Sequence, residues 1–143
     1  MLLGLHTNIL EKNNHLALPA SFREIMAAEV YITSGFDRNI MVLTLQAFQE
    51  IYDKITSLNL ANPVARLLLR MILGSAHKVM VAPDGKIVIP DVLKTFAGLE
   101  HEVTLVGQGD FIEIWSSENW YRQAEQLLHI EANQFSTLTI TTR

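Results

Sequence analysis

Short apolar triplets around polar turns occur twice along the chain. Ile9-Leu10 and Leu16-Ala17-Leu18 bracket the polar run Glu11–His15, and Val79-Met80-Val81 and Ile87-Val88-Ile89 bracket Ala82–Lys86. Apolar runs this short on either side of a turn predict tight β-hairpins. Asp84-Gly85 is a favoured pair where φ turns positive, and Asn13-Asn14 is the next best because asparagine tolerates the left-handed region. Pro19 and Pro90 then fall where the first turn of a helix welcomes a preset φ and loses no donor. The predicted buried faces of these short helices are Phe22, Ile25 and Met26 in the first, and Leu93, Phe96 and Ala97 in the second, with Gly98 as a C-terminal stop. Two strands follow each helix: Val30–Thr33 with Ile40–Leu43, and Glu102–Val106 with Phe111–Trp115.

The two series are copies. Asn14 to Phe22 lies over Gly85 to Leu93 at a constant offset of 71 residues, and with small gaps the match extends through Val30–Thr33 over Val103–Val106, Asp37 over Asp110, Ile40–Val42 over Ile112–Ile114, and Phe48 over Trp120. Repetition on this scale marks an internal duplication.

Between and after the copies the period changes to that of helices. Phe48, Ile51, Tyr52 and Ile55 form one stripe within Leu45–Leu58. Asn62-Pro63 supplies an N-cap and a first-position proline for a second helix running to about Leu73, apolar on nearly every side except Arg66 and Arg70. Such a helix needs cover, from the two repeats or from another subunit. Ser117–Ile130 is the matching helix after the second copy, with Trp120, Ala124, Leu127 and Leu128 expected inward. The run Phe135–Thr142 alternates like an edge strand. The expected organisation is therefore residues 1–60 as one repeat with its helix, 61–75 as the central apolar helix, 76–130 as the second repeat with its helix, and 131–143 as a tail.

Composition narrows the chemistry. With 143 residues, 49% of them hydrophobic and 18% charged, the chain has enough apolar material for a core and is not disordered. The absence of cysteine removes disulfides, thiolate nucleophiles, iron–sulfur clusters and cysteine-type zinc sites. Apolar runs are broken well short of the roughly 20 residues needed to span a bilayer. Met1–Leu10 lacks the early basic residues of a signal peptide, so a cytoplasmic location is expected. Net charge is −4, against a broad basic face, but it is unevenly spread. Residues 1–60 carry four Lys/Arg and six Asp/Glu, residues 61–78 carry three and none, and residues 79–143 carry four and nine, which isolates a basic centre.

Catalytic and metal chemistry find no footing. The histidines at 6, 15, 77, 101 and 129 show no ligand-type pairing. Gly107-Gln108-Gly109 is too short for a dinucleotide loop and falls between strands, Ser116-Ser117 lacks a nucleophile-elbow context, and Glu100 and Glu102 sit on a strand edge. No enzyme, cofactor, metal or small-molecule substrate is expected.

At several points the residues resemble the MraZ family: Met1-Leu2-Leu3-Gly4, Leu16-x-Leu18-Pro19-Ala20-x-Phe22-Arg23, Asn62-Pro63-x-Ala65-Arg66, and Ile89-Pro90 followed by Ala97-Gly98-Leu99 and Glu102 to Gln108, ending in Ile112-Glu113-Ile114-Trp115. The resemblance covers roughly residues 1–122. It implies an α+β fold of two tandem AbrB-like swapped-hairpin half-barrels (a double-split β-barrel) with helices after each repeat. It also implies a ring-shaped homo-oligomer, and a nucleoid-associated transcriptional regulator of the division and cell wall gene cluster that binds repeated boxes in double-stranded promoter DNA. The family's DNA-contacting signature is an Asp, three residues, then an Arg at each turn. This chain departs from it twice, with Glu11 and His15 in the first copy and Ala82 and Lys86 in the second. An arginine fork can bridge a guanine edge, worth about 1–3 kcal/mol of discrimination, whereas lysine is a flexible point charge and neutral histidine a single donor. Weaker or altered recognition follows.

The candidate DNA contacts are Lys12, Asn13, Asn14, His15, Gly85 and Lys86, of which Lys86 keeps the charge at the family position and His15 would make binding pH-dependent below about 7. Turn chemistry alone is the plainer account of the asparagines and of His15. Arg66, Leu68, Arg70 and Met71 are the candidate oligomer interface, the arginines pairing with carboxylates across it. Arg23 is expected to be structural, and Trp115 and Trp120 core or interface aromatics. The competing expectation is an oligomeric protein-interaction scaffold that keeps the fold with eroded DNA loops.

Overall fold

The computed structural model describes residues 1–138. Among these residues eight strands and five α-helices follow in the order β1 (Leu5–Ile9), β2 (His15–Ala17), α1 (Ala20–Arg23), β3 (Glu29–Ser34), β4 (Ile40–Leu43), α2 (Leu45–Thr56), α3 (Pro63–Ile72), β5 (His77–Met80), β6 (Lys86–Val88), α4 (Asp91–Ala97), β7 (Glu102–Gly107), β8 (Phe111–Ser116) and α5 (Ser117–Leu128). The fold is of the α+β class. Six strands form an antiparallel sheet in the order β1-β7-β8-β4-β3-β5, and β2 and β6 form a separate two-stranded ribbon.

The duplication is written into that order. Exchanging each strand for its counterpart, β1 for β5, β7 for β3 and β8 for β4, reverses the sequence of the sheet without changing it, which is the mark of a pseudo-twofold axis. Leu16 and Ile87, equivalent at the offset of 71, face each other in the ribbon. Met41 and Glu113, equivalent in the alignment of copies, face each other where β4 meets β8. His6 pairs opposite Leu105, and their counterparts His77 and Ile32 pair in the same way.

The tight hairpins expected around Glu11–His15 and Ala82–Lys86 exist only at their tips. Each turn is closed at its base by a backbone bond, Glu11 N–H to the His15 carbonyl (2.8 Å) and Ala82 N–H to the Lys86 carbonyl (2.9 Å), and within the second Gly85 N–H also donates to the Ala82 carbonyl (2.7 Å). Beyond it the arms split. β1 leaves to pair with β7 of the other repeat and β5 with β3, while β2 and β6 pair with one another. Alternation identifies a strand but carries no information on which edge it joins.

The main core lies between the sheet and the ribbon and draws on both copies, including Leu16, Leu18, Phe22, Ile32, Ile40, Ile87, Ile89, Leu93, Leu105, Ile112 and Ile114. On the opposite face of the sheet α2 and α3 cover Met41 and Leu43 with Ala47, Ile55 and Ile72, so all four residues of β4 are buried. α5 covers the other end, where Trp115 and Trp120 meet edge to face at 5.5 Å. Caps stand where polar residues precede the helices. Thr44, Asn62 and Ser116 accept from the N–H groups of Ala47, Val64 and Asn119. The prolines sit one position earlier than expected, as N-caps, where the Pro19 carbonyl accepts from Phe22 and Arg23 and the Pro90 carbonyl from Leu93 and Lys94. Gly98 ends α4 at φ +65°.

Three further expectations change. Ile25 is exposed because α1 ends after a single turn, at Arg23. Leu127 and Leu128 point to solvent because only the first half of α5 lies on the sheet. The predicted edge strand over 135–142 is a 3-10 helix where described, Ala132–Leu138, and its remainder lies outside the described residues.

Candidate nucleic-acid interface

The pseudo-twofold places the two turns side by side. Their contact is built from backbone first. Leu18 N–H donates to the Gly85 carbonyl (3.0 Å), and its counterpart Ile89 N–H donates to the Asn14 carbonyl (2.9 Å). Each turn needs left-handed backbone at the matching position, φ +62° at Asn14 and +82° at Gly85, and the first turn adds Asn13 at +61°. The asparagines and the glycine are thus accounted for by conformation.

Side chains then join the turns across the axis. The Lys86 ammonium lies 3.0 Å from Glu11 Oε1, an acid from the first copy and a base from the second. That hydrogen bond, with the charges of Glu11 and Asp84, holds Lys86 above its ordinary value of 10.5 and keeps it protonated. The two departures from the acid–x3–base pattern are therefore complementary. Positions 11 and 86 make one pair between repeats, and the symmetry-related positions 82 and 15 hold Ala82 and His15. Asn14 donates to Asp91 Oδ1 at 2.6 Å, and the His15 ring Nδ1 faces the carbonyls of Lys12 and Asn13 at 3.3 and 3.2 Å.

Lys12 and Asn13 are exposed, Asn14, His15 and Lys86 half-buried, and Gly85 is covered. What covers Gly85 is Arg23, whose Nη1 donates to the Asp84 carbonyl at 3.0 Å. Sequence reasoning gave Arg23 no part in the turns. The one available signal was the offset itself, since a pseudo-twofold that sets turn beside turn also sets each α1-type helix beside the other copy's turn. The turns' own charged side chains balance, Glu11 and Lys12 on the first and Asp84 and Lys86 on the second, and Arg23 reaching in from α1 adds one cation at the second.

The candidate interface residues of α3 divide. Arg66 turns back on its own chain, Nη1 donating to the Leu60 carbonyl at 2.9 Å. Leu68 and Met71 are half-buried against the α2 cluster. Arg70 is exposed and, among the described residues, makes no ion pair. The apolar surface that α3 and the loop before it present outward consists instead of Leu60, Val64 and Leu67, 54–69% exposed. Among the described residues no group of three or more His, Asp or Glu could hold a metal ion, and no helix is long and apolar enough to cross a membrane.

Comparison with known proteins agrees with the duplication. The family model described as "MraZ protein, putative antitoxin-like" matches twice, over residues 1–71 and 72–141. Similar proteins include one from Thermomicrobium roseum, 38% identical over 127 residues (89% of each chain), and one from Clavibacter michiganensis, 37% identical over 120 residues (84% of each). Another, from Caldicellulosiruptor saccharolyticus, is 33% identical over 132 residues (92% of each). All three are named Transcriptional regulator MraZ, a non-enzymatic role. With both halves matched by one family model and relatives of this identity aligned over most of their length, the chain belongs to the MraZ family.

Proposed function

We propose that this protein is a sequence-specific DNA-binding transcriptional regulator of the division and cell wall gene cluster, working in the cytoplasm at the nucleoid. It grips repeated boxes in double-stranded promoter DNA with its paired turns while assembled as a homo-oligomeric ring. The observation that carries this reading is the pairing of two turns with exposed tips, with Lys12, His15 and Lys86 on them and an axis of pseudo-symmetry between them. The names of the relatives support regulation of transcription. Each subunit offers few cations, but a ring repeats them, and multivalent contact raises avidity by roughly 10² to 10⁴ over a single site. Leu60, Val64 and Leu67 beside Arg66 and Arg70 give α3 an apolar face of the kind that subunits cover.

The test is fluorescence anisotropy of the full chain against the duplex upstream of its own gene. Affinity is expected to fall with salt at a log–log slope of about −0.9 per phosphate contacted, and Lys86→Glu is expected to weaken it by adding a carboxylate beside Glu11 and Asp84. No binding at low salt, or a flat salt response, sinks the reading. The balanced charge of the tips would then favour the second reading, an oligomeric protein-interaction scaffold on the same fold.

A further inference from the structure

We propose that Arg23, carried by the first repeat, is the guanidinium that arms the turn of the second repeat and contacts a DNA phosphate there. The inference rests on the DNA-binding reading above and names a contact that the acid–x3–base pattern does not contain. Neither turn carries an arginine. Arg23 stands at the end of α1, and its side chain crosses to the other copy's turn and lies along the backbone at Asp84 and Gly85. A Cβ on residue 85 would fall 1.9 Å from Arg23 Cδ and 2.6 Å from both Nε and Nη1, so the glycine that the φ of +82° favours also leaves open the path the arginine takes along the turn. The side chain lies in the space that the missing Cβ leaves beside the turn.

Seating leaves the chemistry free. Guanidinium has five N–H donors in a planar fork, and the one protein acceptor that Arg23 reaches among the described residues is the Asp84 carbonyl. The residue is exposed and, among the described residues, no carboxylate pairs with it, whereas Lys86 beside it is held by Glu11. The cation at the second turn that no carboxylate holds, among the described residues, is therefore Arg23, placed at the turn by its hydrogen bond to the Asp84 carbonyl, and its planar fork suits bidentate contact with phosphate. The first turn has no such arm. Arg23's counterpart is Lys94 and Gly85's is Asn14, which is engaged with Asp91. The two turns are armed unequally.

The experiment measures anisotropy of the same upstream duplex with wild type, Arg23→Gln and Arg23→Lys over a salt series, with thermal melting of each variant. Loss of charge in Arg23→Gln is expected to weaken binding about tenfold or more and to make the salt slope shallower by about 0.9 for each phosphate no longer neutralised. Arg23→Lys is expected to keep the slope yet bind more weakly than wild type. Wild-type affinity in either variant overturns the proposal, as does weaker binding by Arg23→Gln at an unchanged slope, which would make Arg23 only a brace for the turn. If Arg23→Gln melts early, the lysine variant alone decides. Failure of the wild type to bind DNA at all would instead overturn the reading on which this one rests.

Discussion

Leu16 and Ile87 face each other at the centre of the β2–β6 ribbon, 0% and 1% exposed, and belong to one core shared by both copies. Truncating either to alanine leaves a cavity on the pseudo-twofold axis, and for fully buried Leu or Ile the cost is about 2–5 kcal/mol. For a chain of this length each kcal/mol moves the melting temperature by about 2–4 °C, so a fall of roughly 4–20 °C is expected for Leu16→Ala or Ile87→Ala alone. The structure also says what should melt. The four strands of the first copy keep one pairing among themselves, β3 with β4, and those of the second keep β7 with β8; every other ladder joins the copies. Both variants must therefore lower a single transition seen alike by far-ultraviolet circular dichroism and by tryptophan fluorescence. Both tryptophans, Trp115 and Trp120, report on the second copy, so Leu16→Ala is the sharper of the two. If it lowers the dichroism transition while leaving the fluorescence transition in place, the repeats fold independently and the interleaved topology is refuted.

Gly85→Ala must adopt a left-handed backbone and displace Arg23, and a loss of about 1–2 kcal/mol is expected from the backbone alone, read by urea denaturation. Thr44→Ala removes the hydroxyl that accepts from Ala47 N–H at 3.1 Å, and should cost about 0.5–2 kcal/mol in the same assay. Because the Glu11 carboxylate raises the Lys86 pKa, the pair's contribution to stability is present through neutral pH, where both groups carry their charges, and on the alkaline side is lost as pH rises from the ordinary 10.5 through the raised value. Lys86→Gln and wild type should thus differ by a constant amount through neutral pH and converge on the alkaline side as Lys86 loses its proton, as followed by pH-dependent melting.

How much of this was legible follows from the range of each interaction. Strand positions, the N-cap at Asn62, the stop at Gly98 and the left-handed turn residues depend on neighbours a few positions away, and they stand where the pattern puts them. Which strand pairs with which was not in the pattern, because period 2 is the same in a closed hairpin and in an exchanged one. Ile25, Leu127 and Leu128 look inward by helical spacing, yet spacing cannot show where a helix leaves the surface it rests on. Arg23 was the hardest to place. Its partner is 61 residues distant, and a lone arginine after a proline-started helix has no local feature that names a turn on the other copy.

Along the chain the two turns look like separately damaged versions of one pattern, the first lacking its arginine and the second its acid. In the fold they are halves of a pair, because position 11 meets position 86 across the axis. By the same symmetry position 82 should meet position 15, and there Ala82 and His15 supply neither a carboxylate nor a permanent cation. Ala82→Asp with His15→Arg should therefore create a second cross-repeat ion pair matching Glu11–Lys86. A double-mutant cycle on unfolding should return a coupling of about 0.2–1 kcal/mol, the range for exposed pairs. On DNA the added arginine fork should tighten binding by about 1–3 kcal/mol if it reaches a guanine edge. Most of that gain should come from His15→Arg, with Ala82→Asp alone weakening binding through its charge. A coupling of zero would show that acid and base positions of opposite copies do not meet at this second site, and that the Glu11–Lys86 contact is an accident of two long side chains rather than a consequence of the duplication.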